Sequence, residues 1–320
     1  MNTSKDVPMA HHSGIAVEQH GRVLVARIDG GPRGEFDRKI ASDLDALVTQ
    51  ATEDDSCSAV VLTSTHPSRF IAHADINWLR ELGAANPPVG ARAAGAVLRA
   101  AGAGRRAPGL RRVVERSPLN DAAEYLALHD TLLRMNASGA VFVAAINGSA
   151  LGLGSELAVA CDYRIMASGE HLIGQPEILL GFPPGAGGTQ RLSRLIGNRH
   201  AVPLMLEGGA LSPEAAAQIG YIDEVVEPDV LMERAIEYAE RLARRVKRAV
   251  EAVKRSAYIG GSMTLEHGLH LERAEFLSCI GQPGAQEAMG AYIAQSDASG
   301  DLPAYDNHTY LRMREGGSLQ

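Results

Sequence analysis

Cysteine is scarce in this chain of 320 residues: Cys57, Cys161 and Cys279 are the only three. They are far apart and odd in number, and they make neither a C-x-x-C pair nor a zinc-ligand spacing. That argues against a disulfide framework and a cysteine-based metal centre, and leaves buried thiols in a reducing compartment as the expectation. Long apolar runs are lacking too. None reaches the roughly 18 residues that a membrane-spanning helix needs. Met1 to Gly14 is polar, with neither the apolar segment of a secretory leader nor the Arg-rich amphipathic pattern of a transit peptide. A cytoplasmic protein with no membrane partner is therefore expected. Positive charge is in deficit: the net charge is −7, so nothing global points to nucleic acid. Several chemistries lack their motif. Gly152-x-Gly154 has Leu157 where a dinucleotide fingerprint needs a third glycine, and no G-x-x-x-x-G-K phosphate loop, G-x-S-x-G elbow or H-E-x-x-H pair is present.

What is present is a glycine-rich junction. The β-branched run from Val141 to Ile146 reads as a buried strand. It breaks into Asn147-Gly148-Ser149-Ala150-Leu151-Gly152-Leu153-Gly154, and a helix pattern then opens with Glu156 in its first turn. Glycines at such a turn let backbone approach a ligand closely. The free N–H groups of the new helix make a place for negative charge. An acid–base group beside an anion site is what an enzyme that forms an enolate requires. Two further blocks flank it: Phe70-Ile71-Ala72-His73-Ala74-Asp75-Ile76, and Gly174-Gln175-Pro176-Glu177 running through Pro183-Pro184-Gly185-Ala186-Gly187-Gly188-Thr189-Gln190-Arg191-Leu192.

Strands and helices alternate along most of the chain. Ile15–Glu18 pairs with Arg22–Ile28 around His20-Gly21. Phe36 to Thr52 has helical spacing, Ala59–Leu62 and Cys161–Met166 read as strands, and Asp75 is a candidate N-cap for a helix to Leu82. The alternation predicts an α/β fold with a largely parallel sheet made of repeated ββα turns. After Ser212-Pro213-Glu214, a cap with proline at the first helical position, the character changes. From Val230 nearly to Tyr292 the chain reads as helices, broken near Gly260-Gly261 and over Gly281–Gly284. The expected organisation is a core over residues 14–225, a helical region over 226–295 and a tail over 296–320, with residues 1–13 disordered.

The three blocks, in this order, resemble the crotonase superfamily, most closely its enoyl-CoA hydratases, over about residues 15–82 and 120–292. The resemblance implies a spiral of ββα units followed by helices that mediate homotrimer contacts, often paired as hexamers. It implies an acyl-CoA thioester substrate, fatty acid metabolism as the setting, and no cofactor beyond the CoA of the substrate. It makes Glu156 and Glu177 the catalytic pair, the backbone N–H groups of Ala74 and Leu153 the oxyanion hole, and Gly185 the group that orients the attacking water. Ala72, Asp75, Ile76 and Asn77, along with Ala74, would run beside the bound CoA. No metal is implied. Two positions depart from the family pattern: His73 and Leu153 stand where glycine is usual. The family's N-terminal Arg-Pro…Asn-Ala element is echoed only by Pro32-Arg33. Syn hydration of a 2-enoyl thioester is the reading preferred. Double-bond isomerisation on the same fold and a silent acyl-CoA-binding protein remain alternatives.

One segment fits none of this. Gly83 to Arg116 is dominated by Ala, Gly and Arg. Its arginines at 92, 99, 105, 106, 111, 112 and 116 against Glu115 give it +6, in a chain whose total is −7. It has few large apolar residues, so a solvated flexible insertion is expected. The alternatives are an Arg-rich lid that attracts the phosphates of CoA, and a surface that binds a partner.

Overall fold

The computed structural model of the chain describes residues 14–85, 88–107 and 109–315. The disorder expected over residues 1–13, and residues 316–320 of the expected tail, lie outside the described residues.

The chain opens with an antiparallel hairpin of β1 (Ile15–His20) and β2 (Val23–Ile28). A 3-10 turn (Gly31–Arg33) leads to α1 (Arg38–Glu53), capped by Asp37, whose side chain accepts from the Ile40 N–H. Next come β3 (Ala59–Ser64), β4 (Arg69–Ile71) and α2 (Ile76–Ala85). As expected, Asp75 caps α2: its carboxylate accepts from the Asn77 N–H at 2.8 Å. The segment α3 (Ala91–Arg106), α4 (Arg111–Glu115) and α5 (Asn120–Ala137) then precedes two compact units. The first is β5 (Val141–Ile146), β6 (Ser149–Leu151) and α6 (Leu153–Ala160). The second is β7 (Tyr163–Ala167), β8 (Ile173–Gly174), a 3-10 turn (Glu177–Leu180) and α7 (Gly188–Glu207). The chain continues through β9 (Ala210–Leu211), α8 (Pro213–Gln218) and β10 (Glu224–Val226). It ends in α9 (Leu231–Ala243), α10 (Lys247–Lys254), α11 (Leu265–Ile280), α12 (Pro283–Ser299) and α13 (Asn307–Arg314).

Each ββα unit gives its first strand to one sheet and its second to another. The large sheet runs β1-β2-β3-β5-β7-β10 and the small one β4-β6-β8-β9. All pairs are parallel except β1 with β2 and β8 with β9. Phe36 bridges Ala74 in parallel, a one-residue second strand for the turn that begins with β2. The result is the expected α/β spiral. Because the middle of the large sheet is covered on both faces, its central strands β3 and β5 are buried at every residue. Leu24, Ala26 and Ile28 face the spiral interior, while Val23 and Val25 face α9. Helix α9 meets the sheet with Leu231, Ala235, Ala239 and Ala243, four residues apart, small enough for close approach.

Three boundaries differ from the sequence reading. The break expected near residue 225 falls inside β10, which pairs with β7 through Glu224–Val226, and α9 beyond it packs on the sheet. A three-residue edge strand is too short to carry a period, so the change of character came into view only afterwards. The basic segment over 83–116 is helical in α3 and α4. It docks on α5 through Ala101, Val114, Ala122 and Ala123, and its Arg105 and Arg106 both pair with Asp130. Alanine, which limits how much surface the segment can bury, is also the strongest helix former. The expected tail begins inside α12 and includes α13, where Asp306 caps the Thr309 N–H and Arg245 donates to the Met313 carbonyl.

Candidate active site

A cavity of about 490 Å³ lies where α2, α5, α6 and the 177–186 segment meet. Its position follows from close backbone packing. A Cβ on Gly148 would overlap the Ser68 carbonyl, and one on Gly154 would overlap the Ile71 carbonyl. Only hydrogen at these positions lets the β5–β6–α6 turn lie against β4, and that contact brings the 70–76 block to the 146–157 block. Gly152, with φ 51° and ψ −122°, turns the chain into α6 in a conformation that a side chain would strain. A Cβ there would also stand 2.9 Å from Glu177 Oε1 and 3.7 Å from His73 Cβ, so all three blocks converge on this residue.

Two N–H groups at the junction are without partners among the described residues. Leu153 is the first residue of α6, so its N–H has no intrahelical acceptor. Ala74 sits in the backbone bridge with Phe36; there the Asp75 N–H and the His73 carbonyl are bonded, and the Ala74 N–H is not. Both residues line the cavity. Among the described residues only glycines have positive φ, so His73 and Leu153 occupy ordinary backbone despite standing where glycine is usual. The His73 ring turns back on its own strand, with Nδ1 donating to the Ala74 carbonyl at 2.7 Å.

The two carboxylates both line this cavity, in different surroundings. Glu156 is 2% exposed. Its Oε1 accepts the Ala186 and Gly188 N–H groups, each at 2.7 Å. Burial raises its pKa, and the two N–H donors and the Arg191 guanidinium pull it back down. Glu177, 8% exposed, starts the 3-10 turn that Gly181 closes. Burial, with a smaller contribution from the charge of Glu156, raises its pKa to about 7, against a hydrogen bond to its own backbone N–H. In the orientation that satisfies both ends of its amide, Gln175 donates to Glu177 at 3.2 and 3.3 Å and accepts from Ser155 Oγ at 3.0 Å. Ser155 also bonds the fully buried Tyr221 hydroxyl. This polar chain fixes Glu177 from below the cavity floor. Trp78, Leu79, Leu82, Leu128 and Phe182 form the apolar wall.

The family sequence profile of enoyl-CoA hydratase/isomerase matches residues 108–299. The chain belongs to the enoyl-CoA hydratase/isomerase family. It is 30% identical over 288 residues to the short-chain-enoyl-CoA hydratase of Clostridium acetobutylicum, covering 89% of this chain and 97% of that one. It is 40% identical over 152 residues to the corresponding protein of Clostridioides difficile, which covers 48% of this chain and 97% of the relative. Among solved structures, the enoyl-CoA hydratase of Bacillus anthracis superposes with a TM-score of 0.69 at 26% identity, over 91% of this chain and 98% of that one.

Against the family pattern, Glu156, Glu177, Ala74, Leu153 and Gly185 all line the one cavity. Of the residues expected along CoA, Ile76 lines it as well. Ala72, Asp75 and Asn77 lie outside the lining: the Ala72 N–H is bonded to the Gly34 carbonyl, and Asp75 and Asn77 form the cap of α2. Lys254, in a family-like helix, is buried against Asp162 and the Ala140 carbonyl and so holds α10 to the core. Two residues at the site were missed by sequence reasoning. Tyr125 and His129, one turn apart on α5, both reach the Gly185 carbonyl, at 2.5 and 2.7 Å. They lie outside the three blocks. Their only signal was a polar aromatic pair at i and i+4, and that spacing is equally common on solvated helices.

Proposed function

We propose that this site adds water in syn fashion to 2-enoyl-CoA thioesters. One observation carries the reading: two buried carboxylates share a cavity and burial raises both, but two backbone N–H donors and Arg191 draw Glu156 part of the way back, while Glu177 stands at about 7. Two carboxyls whose pKa values are set by different surroundings divide base and acid work. Glu156 is the base: it takes a proton from a water that the Gly185 N–H orients, and the water oxygen bonds to Cβ. The double-bond electrons move toward the thioester oxygen, where the Ala74 and Leu153 N–H groups meet the developing charge; each such donor is worth roughly 3 kcal/mol. Glu177 is the acid and delivers its proton to Cα. Water and proton come from the carboxyl side of the cavity, which makes the addition syn. The apolar wall of Trp78, Leu79, Leu82, Leu128 and Phe182 suits an acyl chain.

The relatives named above as short-chain hydratases support this reading. CoA would enter past Ile76, which lines the cavity, with Ala72, Asp75 and Asn77 close to it in the chain. We further propose a homotrimer, or a pair of trimers. Leu265, Phe276, Leu277 and Ile293 on α11 and α12 are 79%, 61%, 66% and 60% exposed, more apolar surface than a lone helical region usually shows to water. A cytoplasmic role in fatty acid metabolism completes the proposal.

The test is the ultraviolet absorbance of crotonyl-CoA mixed with purified protein. Loss of the conjugated-enoyl band with formation of 3-hydroxybutyryl-CoA is expected. Interconversion of 2- and 3-enoyl thioesters without hydration would move the protein to the isomerases.

A further inference from the structure

We propose that Tyr125 and His129 are positioning residues for Glu156, acting through the peptide unit that joins Gly185 to Ala186. The carbonyl oxygen of that unit accepts the Tyr125 hydroxyl at 2.5 Å and His129 Nε2 at 2.7 Å. The N–H at its other end, that of Ala186, donates to Glu156 Oε1 at 2.7 Å. A peptide unit is planar and nearly rigid. Two donors on its oxygen therefore fix the direction of the N–H that holds the carboxylate. They also polarise it, since hydrogen bonds in series strengthen one another. The acceptor at Nε2 is a carbonyl oxygen, so that nitrogen carries the proton. Burial lowers the His129 pKa, and the ring does this as a neutral imidazole.

The grip is built rather than incidental. Tyr125 and His129 stand one helical turn apart on α5, with ring centroids 4.6 Å apart in an edge-on contact. The Tyr125 ring also forms part of the cavity wall; His129 stands behind it. The next peptide unit is held from the far side, where Arg191 donates to the Ala186 carbonyl at 3.0 Å. The loop that carries the Glu156 contacts is thus held by α5 on one side and α7 on the other. The charged and titratable groups facing Glu156 are Arg191, Glu177, Tyr125 and Tyr221, and those facing His129 are Arg191, Asp130 and Tyr125.

The inference rests on the reading of Glu156 as the base. Tyr125→Phe keeps the wall and removes one donor. His129→Ala removes the other, and His129→Gln puts an amide N–H near the place of Nε2. For hydration of crotonyl-CoA, Tyr125→Phe and His129→Ala should each lower kcat about tenfold, the loss expected for one positioning hydrogen bond. KM should stay within about twofold, and His129→Gln should recover most of the rate. In the pH profile of kcat/KM, the acid limb, set by Glu156, should move to higher pH, because the weakened N–H stabilises its carboxylate less. The alkaline limb, set by Glu177, should stay in place. Exchange of the Cα protons of butyryl-CoA with D₂O uses the Glu177 carboxyl and the oxyanion donors but adds no water; it should stay within about twofold of wild type. Hydration and exchange falling together, or both pH limbs moving, would reduce the pair to a structural contact and overturn the proposal. So would unchanged kcat in both variants. Wild-type protein that exchanges Cα protons but does not hydrate would instead overturn the functional reading, and the proposal with it.

Discussion

Two glycine-rich regions of this chain look alike in composition and have opposite physical roles. In the turn over 146–157, Gly148 and Gly154 lie so close to the backbone of Ser68 and Ile71 that a methyl group would overlap it, and Gly152 has a φ that side chains rarely adopt. In the arm over 83–116, a Cβ on Gly83 or Gly90 would meet nothing within 4 Å and one on Gly95 only the far end of Arg99 at 3.6 Å, whereas Gly104 alone is crowded, by the Val114 side chain at 2.6 Å, and Gly109 alone has a positive φ. The first set of glycines is required by close packing at a site. In the second, most glycines meet no backbone, and Gly83 and Gly95 weaken helices that alanine builds. Glycine content alone therefore does not mark a functional loop; what counts is what a Cβ would strike.

The carboxylates that the turn assembles should show the largest effect. Glu156→Gln and Glu177→Gln are each expected to lower turnover by about 10² or more while a CoA product still binds, measured by steady-state kinetics and product titration. Near-wild-type turnover in either variant would remove that residue from the acid–base pair.

The glycine contrast can be tested directly. Gly154→Ala must push its methyl group into the Ile71 carbonyl and should cost about 3 kcal/mol or more in denaturant unfolding, with activity falling alongside. Gly95→Ala, within α3, should stabilise by about 0.5–1 kcal/mol and leave kinetics unchanged. Equal effects at the two positions would erase the distinction between the regions.

A smaller effect concerns pH. Glu177 must be protonated to deliver its proton, so kcat/KM should fall as pH rises through about 7. Its folded-state pKa is raised from 4.5, so the folded protein holds this proton more tightly than the unfolded chain. The resulting stability is present below about pH 4.5 and is lost as pH rises through about 7. Glutamine is neutral throughout. After discounting for partial exposure, Glu177→Gln should gain on the order of 1–3 kcal/mol over wild type at pH 8 and little at pH 4.5, although it loses activity. Denaturant melts at the two pH values decide; a constant difference would mean that burial does not strain this carboxyl.

The arm should show the smallest effect. Replacing Arg105, Arg106, Arg111 and Arg112 together by alanine should change KM for acyl-CoA by less than about twofold at low salt, because Arg105 and Arg106 are engaged with Asp130. A several-fold rise in KM that closes at high salt would restore the phosphate-lid reading.

These regions were not equally legible. The turn was readable because its constraint is local. A strand that breaks into glycines and reopens as a helix with Glu156 in its first turn leaves its mark in consecutive residues, and so does the Glu177 to Gly185 segment. The arm is largely exposed, as expected, but its docking was missed because the contacts come from Ala122 and Ala123 on a different helix, and alanine gives no apolar period. Tyr125 and His129 were invisible for a similar reason, since their partner lies 60 and 56 residues away.

The sequence by itself determined the α/β alternation and the order of its blocks, because periodicity, capping and glycine breaks act between residues a few positions apart; the spiral and the choice of the two carboxylates rested on the resemblance of those blocks to the family. Only the tertiary structure decided how those carboxylates differ. Burial raises the pKa of both, and it is the two N–H groups on Glu156, against only its own backbone N–H on Glu177, that set them apart; which backbone comes to rest beside each decides this. Desolvation and hydrogen bonding are properties of a place in the fold, and packing contacts between residues far apart in the chain create that place.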